Sequence, residues 1–195
     1  MLILGLDVST SCTGVCIVDS DIEPIDGNHI KLLDRIEFKG CDTLWEKADA
    51  VQSYLVGLRQ TDFSVGKIER IVVEEPLMGF RTGMSSAQTI TMLMRFNGIV
   101  SYIARKIFGH DPEYISSGHA RKVCGIKLQK TAVGGPQKEQ VFSHMQRNDL
   151  KHVKWETKKS GNIVDWSRDA TDAYVIARAA MISGKIVPVK KKRKG

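Results

Sequence analysis

Apolar residues recur along this chain with two different periods, and the points where one gives way to the other mark out its elements. Leu2 to Leu6 is an unbroken apolar run too short for a helix; it predicts a strand buried on both faces. Gly14 to Val18 predicts a second strand, reached through a Ser/Thr-rich turn so tight that the pair must be an antiparallel hairpin. Asp19 to Asn28, with Pro24 and Gly27, is a loop, and the partial alternation from Ile30 to Phe38 predicts a third strand. The period then changes: Leu44, Ala48, Val51, Leu55 and Leu58 line one face of a helix spanning Leu44 to Leu58. Ile71 to Val73, β-branched and followed by Glu74, Glu75 and Pro76, predicts a fourth strand. Ser85 to Ile107, Met-rich and apolar over much of its surface, predicts a buried helix, and Glu113 to Ser116 a weak fifth strand. Short helices are expected at His119 to Cys124 and Lys138 to Arg147, separated by turns at Gly125 and Gly134-Gly135-Pro136, and a last helix at Ser167 to Ser183. This order predicts a mixed, five-stranded α/β sheet with helices on both faces.

Composition adds little until charge is located. The chain has 195 residues, 42% apolar and 26% charged, as expected of a soluble protein with a sizeable core. Of its 29 basic residues six are Lys185, Lys190, Lys191, Lys192, Arg193 and Lys194; without them 23 face 22 acidic residues, so the net charge falls from +7 to +1. The boundaries expected are one domain over residues 1–184 and a basic tail over 185–195. A second cationic stretch lies between Ser116 and Ser160, and two such local surfaces point to a polyanion. Cys12, Cys16, Cys41 and Cys124 have no zinc-type spacing and are read as reduced, mostly buried thiols. No apolar run approaches the ~20 residues of a membrane span, so an intracellular, soluble protein without membrane attachment is expected.

The candidate chemistry is acidic. Asp7 ends the first strand and Glu74 the fourth, and parallel pairing of those strands would bring both carboxylates to one sheet edge. Asp169 and Asp172 lie three residues apart on the last helix, sharing a face with Cβ atoms about 5–6 Å apart. Each acid alone has an ordinary reading, as a turn residue, a partner of the helix dipole or half of a surface ion pair. Four converging acids repel one another unless a cation sits among them, and oxygen donors without a Cys/His cluster favour Mg²⁺ or Mn²⁺, ions that commonly act on phosphate esters. A metal-dependent nuclease follows. Period-two alternation leaves open whether Glu74 or Glu75 faces the metal.

The chain resembles the RuvC-type Holliday-junction resolvases. The resemblance rests on Ile3-Leu4-Gly5-Leu6-Asp7 followed by Ser9 to Gly14, on Ile71-Val72-Val73-Glu74, on Gln137-Lys138-Glu139-Gln140-Val141 leading to His144-Met145, and on Asp169-Ala170-Thr171-Asp172-Ala173. These segments keep the family's order over nearly the whole chain. It implies a ribonuclease-H-like fold, two Mg²⁺ or Mn²⁺ ions held by Asp7, Glu74, Asp169 and Asp172, and Lys138 as the basic residue beside the scissile phosphate. It also implies a homodimer that nicks a four-way DNA junction symmetrically and leaves 5′-phosphates, the long helix being the candidate interface. A second basic position of the family, after its Ala-Arg-x-Val segment, is Cys124 here, following Ala120-Arg121-Lys122-Val123; Lys127 or Lys130 is the candidate substitute. Leu77 stands where the family has a junction-contacting aromatic, and nearby Phe80 is the candidate for stacking on a base. With Arg81, Arg121, Lys122, Lys127, Lys130 and Lys138 it makes up the expected nucleic-acid surface.

Three alternatives stay open. One is a nuclease of the same fold acting on flaps, other branched DNA or RNA; another is a nucleic-acid-binding module without catalysis. The third is an actin/Hsp70-like phosphate-binding ATPase, suggested by Gly5-Leu6-Asp7 with Ser9, Thr10, Ser11 and Thr13, although 195 residues offer one domain where such proteins need two.

Overall fold

The structure, a computed structural model, describes residues 1–60, 68–76 and 86–184. β1 (Leu2–Asp7) and β2 (Cys12–Asp19) form the expected antiparallel hairpin, with Leu6 opposite Val15 and Asp7 opposite Gly14. β3 (Ile30–Glu37) pairs antiparallel with β2, while β4 (Ile68–Glu74) lies parallel to β1 and β5 (Glu113–Ile115) parallel to β4. The five-stranded sheet therefore runs β3-β2-β1-β4-β5.

Period-two alternation divides the core between the two sides of this sheet. Leu2, Leu4, Leu6, Ile71 and Val73 point to one side and pack beneath α1 (Leu44–Arg59) and α2 (Ala87–Phe108). Ile3, Cys16, Val18, Val72 and Ile115 point to the other, beneath α3 (Ser117–Val123), α5 (Gln137–Arg147) and α6 (Trp166–Ser183). α1 begins with a reciprocal capping box between Thr43 and Glu46, and Ser86 and Ser116 cap α2 and α3. Tyr174 ties α6 to its surroundings: its hydroxyl meets His29 Nε2 at 2.9 Å and donates to Asp149 at 2.8 Å, and Arg178 also bonds Asp149.

Three expectations change. α2 is not buried along its length: Phe96, Asn97, Val100, Ser101, Ile103 and Ala104 are buried, but Met92 and Met94 on its first half are exposed. A single-turn helix, α4 (Thr131–Gly134), which was not expected, leads into the turn read at Gly134-Gly135-Pro136. Only Cys16 among the four cysteines is fully buried; all are free, and the others are half-buried. The basic tail, Phe80 and Arg81 lie outside the described residues. Among the described residues no helix is long and apolar enough to cross a membrane.

Two glycines set how closely α6 approaches the sheet. A Cβ on Gly14 would lie 2.1 Å from the Asp169 carbonyl oxygen, and one on Gly5 would lie 2.6 Å from that of Ala173. Backbone, not a flexible side chain, stands in the way, so a methyl group there must displace the helix. Gly14→Ala is expected to lower stability by about 1–3 kcal/mol. Gly57→Ala on α1, where an added Cβ meets nothing within 4 Å, should raise it by about 1 kcal/mol. Urea unfolding of the two variants measures both; equal effects would show that α6 is not held by this clearance.

Candidate active site

The side-chain parity that divides the core also aims the acids. Asp7 continues the Ile3–Gly5 side of β1 and Glu74 the Val72 side of β4, so both face α6. Leu6 and Val73 are register partners, which makes Asp7 and Glu74 neighbours across the parallel ladder. The close approach allowed by Gly14 brings the first turns of α6 over them, adding Asp169 and Asp172. Lys138, in the first turn of α5, reaches into the group from the side: its Nζ donates to Asp169 at 2.6 Å and stands 3.7 Å from Asp172 and 3.9 Å from Asp7. Glu74 lies beside Asp7 across the ladder, close enough to raise its pKa. Glu75, on the opposite parity, is exposed.

Asp7 and Asp172 are only 8% and 7% exposed, and their environment disfavours charge. Burial, then repulsion by Glu74, holds Asp7 well above the usual carboxylate range, against the pull of Lys138. Burial and the nearby Asp7 push Asp172 up to about 7, although Lys138 and Arg121 act the other way. Burial works against the charge on Lys138, but Asp7, the hydrogen bond to Asp169 and Asp172 outweigh it and hold the ammonium above the ordinary lysine range. The cluster thus carries more acid than its own cations neutralise.

The donor set fits a hard divalent ion: every candidate ligand is a carboxylate, and a cationic nitrogen already stands among three of them. Among the described residues no three His, Cys, Asp or Glu side chains converge closely enough to hold an ion as they stand. Lys138 fills the middle of the group, so an ion entering there competes with its ammonium.

Several residues at the site escaped the sequence. Asn97, buried on α2, donates from Nδ2 to the Glu74 carbonyl at 2.9 Å and fixes the end of β4. Arg168 binds Glu139 through Nε and Nη2 at 2.8 and 2.9 Å and locks α5 to α6. Cys12 lies near Asp169, and burial together with that acid pushes its thiol up to about 12. Cys124 does not face the acids: its Sγ donates to the Val175 carbonyl at 3.5 Å. The cation nearest Asp172 after Lys138 is Arg121, one turn earlier on α3, with Nη2 at 3.9 Å. Lys122, Lys127 and Lys130 are exposed and form no ion pair among the described residues. Lys127 lines a separate polar cleft of about 580 Å³ beside α5, with Gln129, Gln140, His144 and Arg147.

No protein-family model and no curated protein sequence matches this chain. By structure it is similar to Thermus thermophilus RuvC in complex with a Holliday junction substrate: 14% identity, 94% of this chain and 95% of that one covered, TM-score 0.61. A second Thermus thermophilus RuvC structure gives 15% identity, coverage of 94% and 95%, and a TM-score of 0.54. The chain has the RuvC fold. In the RuvC fold of this chain the ribonuclease-H-like order expected from the sequence is realised strand for strand, with the acids at the ends of β1 and β4 and under the start of α6.

Proposed function

We propose that this chain is a divalent-metal-dependent endonuclease that resolves four-way DNA junctions by paired nicking. The observation that carries the reading is the convergence of Asp7, Asp169 and Asp172 around the Lys138 ammonium, with Glu74 beside Asp7 across the β1–β4 ladder, on a fold shared with a protein solved on a Holliday junction substrate. The four carboxylates would hold Mg²⁺ or Mn²⁺, which when bound supplies Lewis-acid activation of water and neutralises charge at the departing oxygen. In the reaction a water oxygen bonds to phosphorus, the P–O3′ bond breaks, and the proton lost by water ends on the 3′ oxygen, leaving a 5′-phosphate and a 3′-hydroxyl. Asp7 and Asp172 act as anions, so their protons must first leave. Lys138 keeps positive charge beside the centre where negative charge grows.

Exposed Lys122, Lys127 and Lys130, the cleft that Lys127 shares with Arg147, and the 185–195 tail would grip phosphates. Such contacts set affinity and salt dependence, while preference for a branch comes from DNA shape and the cost of distorting it. Residues 1–184 would form the nuclease domain. Two symmetric incisions call for a twofold homodimer, and the exposed Met92 and Met94 on α2 support that helix as its interface. Sedimentation of the full chain tests the dimer.

The activity is tested with a synthetic four-way junction, the matching linear duplex and a single strand, each with Mg²⁺, Mn²⁺ or EDTA. Symmetric nicks in the junction that require the metal are expected. Cutting that persists in EDTA, or no cutting of any branched DNA with either metal, overturns the reading.

A further inference from the structure

We infer that Arg121 binds a non-bridging oxygen of the scissile phosphate, an assignment that rests on the nuclease reading above and separates the work of the site's two cations. Arg121 lies in the last turn of α3, its side chain 18% exposed. A guanidinium carries five N–H donors in a rigid planar fork, and withdrawing them from water without partners is costly. Among the described residues Arg70 and Arg168 meet that demand with several short bonds, and Arg178, as shielded as Arg121, donates to Asp149 at 3.1 Å and to Met181 Sδ at 3.6 Å. Arg70 grips Glu113 at 2.8 and 2.9 Å and also donates to the Ala180 and Gly184 carbonyls; Arg168 grips Glu139 at 2.8 and 2.9 Å and donates to the Val164 carbonyl.

Arg121 does not. Its polar partners among the described residues are Gln137 Oε1, at 3.4 Å from Nη1, and Asp172 Oδ1, at 3.9 Å from Nη2. The first is long for a hydrogen bond and the second is a charge contact without one. A structural ion pair with Asp172 would have closed, as those of Arg70 and Arg168 have. The fork is therefore largely unspent, and it stands at the edge of an acid cluster that would otherwise repel an incoming anion.

Without metal the Lys138 ammonium is engaged with three carboxylates, one of them at 2.6 Å, whereas the Arg121 fork is not. A planar fork with free N–H groups matches two oxygens of a phosphodiester, and a phosphate held by it would lie within reach of Asp172. Gln137, next to Lys138 in sequence, touches the guanidinium only loosely from α5. Lys138 balances the carboxylates; Arg121 receives the phosphate.

The test uses the full chain as wild type, Arg121→Ala and Arg121→Lys, with the synthetic junction as probe. Cutting rates are measured at saturating protein in Mg²⁺, and affinity by fluorescence anisotropy in EDTA. Arg121→Ala should cut about a hundredfold more slowly, with affinity for the junction close to wild type. Free guanidinium at non-denaturing concentration should restore much of the lost rate to Arg121→Ala and none to Arg121→Lys, which keeps the charge but lacks the fork. Wild-type cutting by Arg121→Ala, a loss confined to affinity, or no rescue by guanidinium overturns the assignment and leaves the nuclease reading intact. Should Arg121→Ala fail to fold, a fully active Arg121→Lys overturns it as well. A wild-type protein that cuts nothing overturns both readings.

Discussion

Asp7→Asn should stop junction cutting and, above neutral pH without metal, make the protein more stable. The loss follows from position: Asp7 ends the central strand pair, neighbours Glu74 across the ladder and stands 3.9 Å from Lys138, so no other side chain can take its place in the donor set. A fall of at least about 10³-fold is expected, because residues that act as one unit fail together. The gain follows from electrostatics. Burial and the neighbouring Glu74 hold Asp7 well above the usual carboxylate range, which means that the folded site works against its charge. Asparagine keeps the shape and a hydrogen-bond donor and removes the charge, and each kcal/mol recovered is worth about 2–4 °C in Tm for a protein of this size. A stability gain coupled to lost function is the signature of a site that stores electrostatic strain. Thermal melts at pH 8 in EDTA, paired with a cutting assay, provide the check. A variant that cuts normally, or that melts lower than wild type at that pH, would remove Asp7 from the centre of the cluster.

Most of the sheet was legible because its signals are local. The apolar run at Leu2 to Leu6, the short Ser/Thr link to β2 and the β-branched end of β4 each specify a strand without reference to the rest of the chain. The four acids were legible for the same reason, lying at strand ends and on one helix face. The choice between Glu74 and Glu75 was not, since it depends on register: once Val72 faces α6, Glu74 must follow it and Glu75 cannot. Gly14 reads in sequence as an unremarkable residue in a strand; only the packed helix shows that a Cβ there would strike the Asp169 carbonyl. Arg121 and Cys124 share a helix face, and nothing in their spacing tells which is turned to the acids and which to the Val175 carbonyl. Long-range packing decides these points. α2 misled for a different reason: a helix apolar around most of its surface has the pattern of a core element whether that surface meets the same chain or another.

Metal-free protein should lose stability as pH rises from about 4 to about 7, and Mg²⁺ should return it. With Asp7, Glu74, Asp169 and Asp172 ionised, Lys138 and Arg121 balance half of the charge, and the remainder is relieved by bound protons. In the unfolded chain Asp172 releases its proton at the ordinary carboxylate value, while in the folded protein it retains the proton to about 7. Between those values the folded state binds more protons than the unfolded one, so raising the pH favours unfolding. This contribution is whole below the unfolded value and is lost as pH passes through about 7. Asp7 acts in the same direction, and together the effect is on the order of a few kcal/mol. A divalent ion neutralises the same charge, but it needs the carboxylates ionised. Its stabilisation, about 2.7 kcal/mol at a hundred times Kd, should therefore be large at pH 8 and small at pH 5, and its binding should release protons at the lower pH. Thermal melts across this range with and without Mg²⁺, and calorimetry in two buffers of different ionisation enthalpy, measure both. A metal-induced shift in Tm that is equal at pH 5 and pH 8 would mean that the ion is held elsewhere than at Asp7 and Asp172.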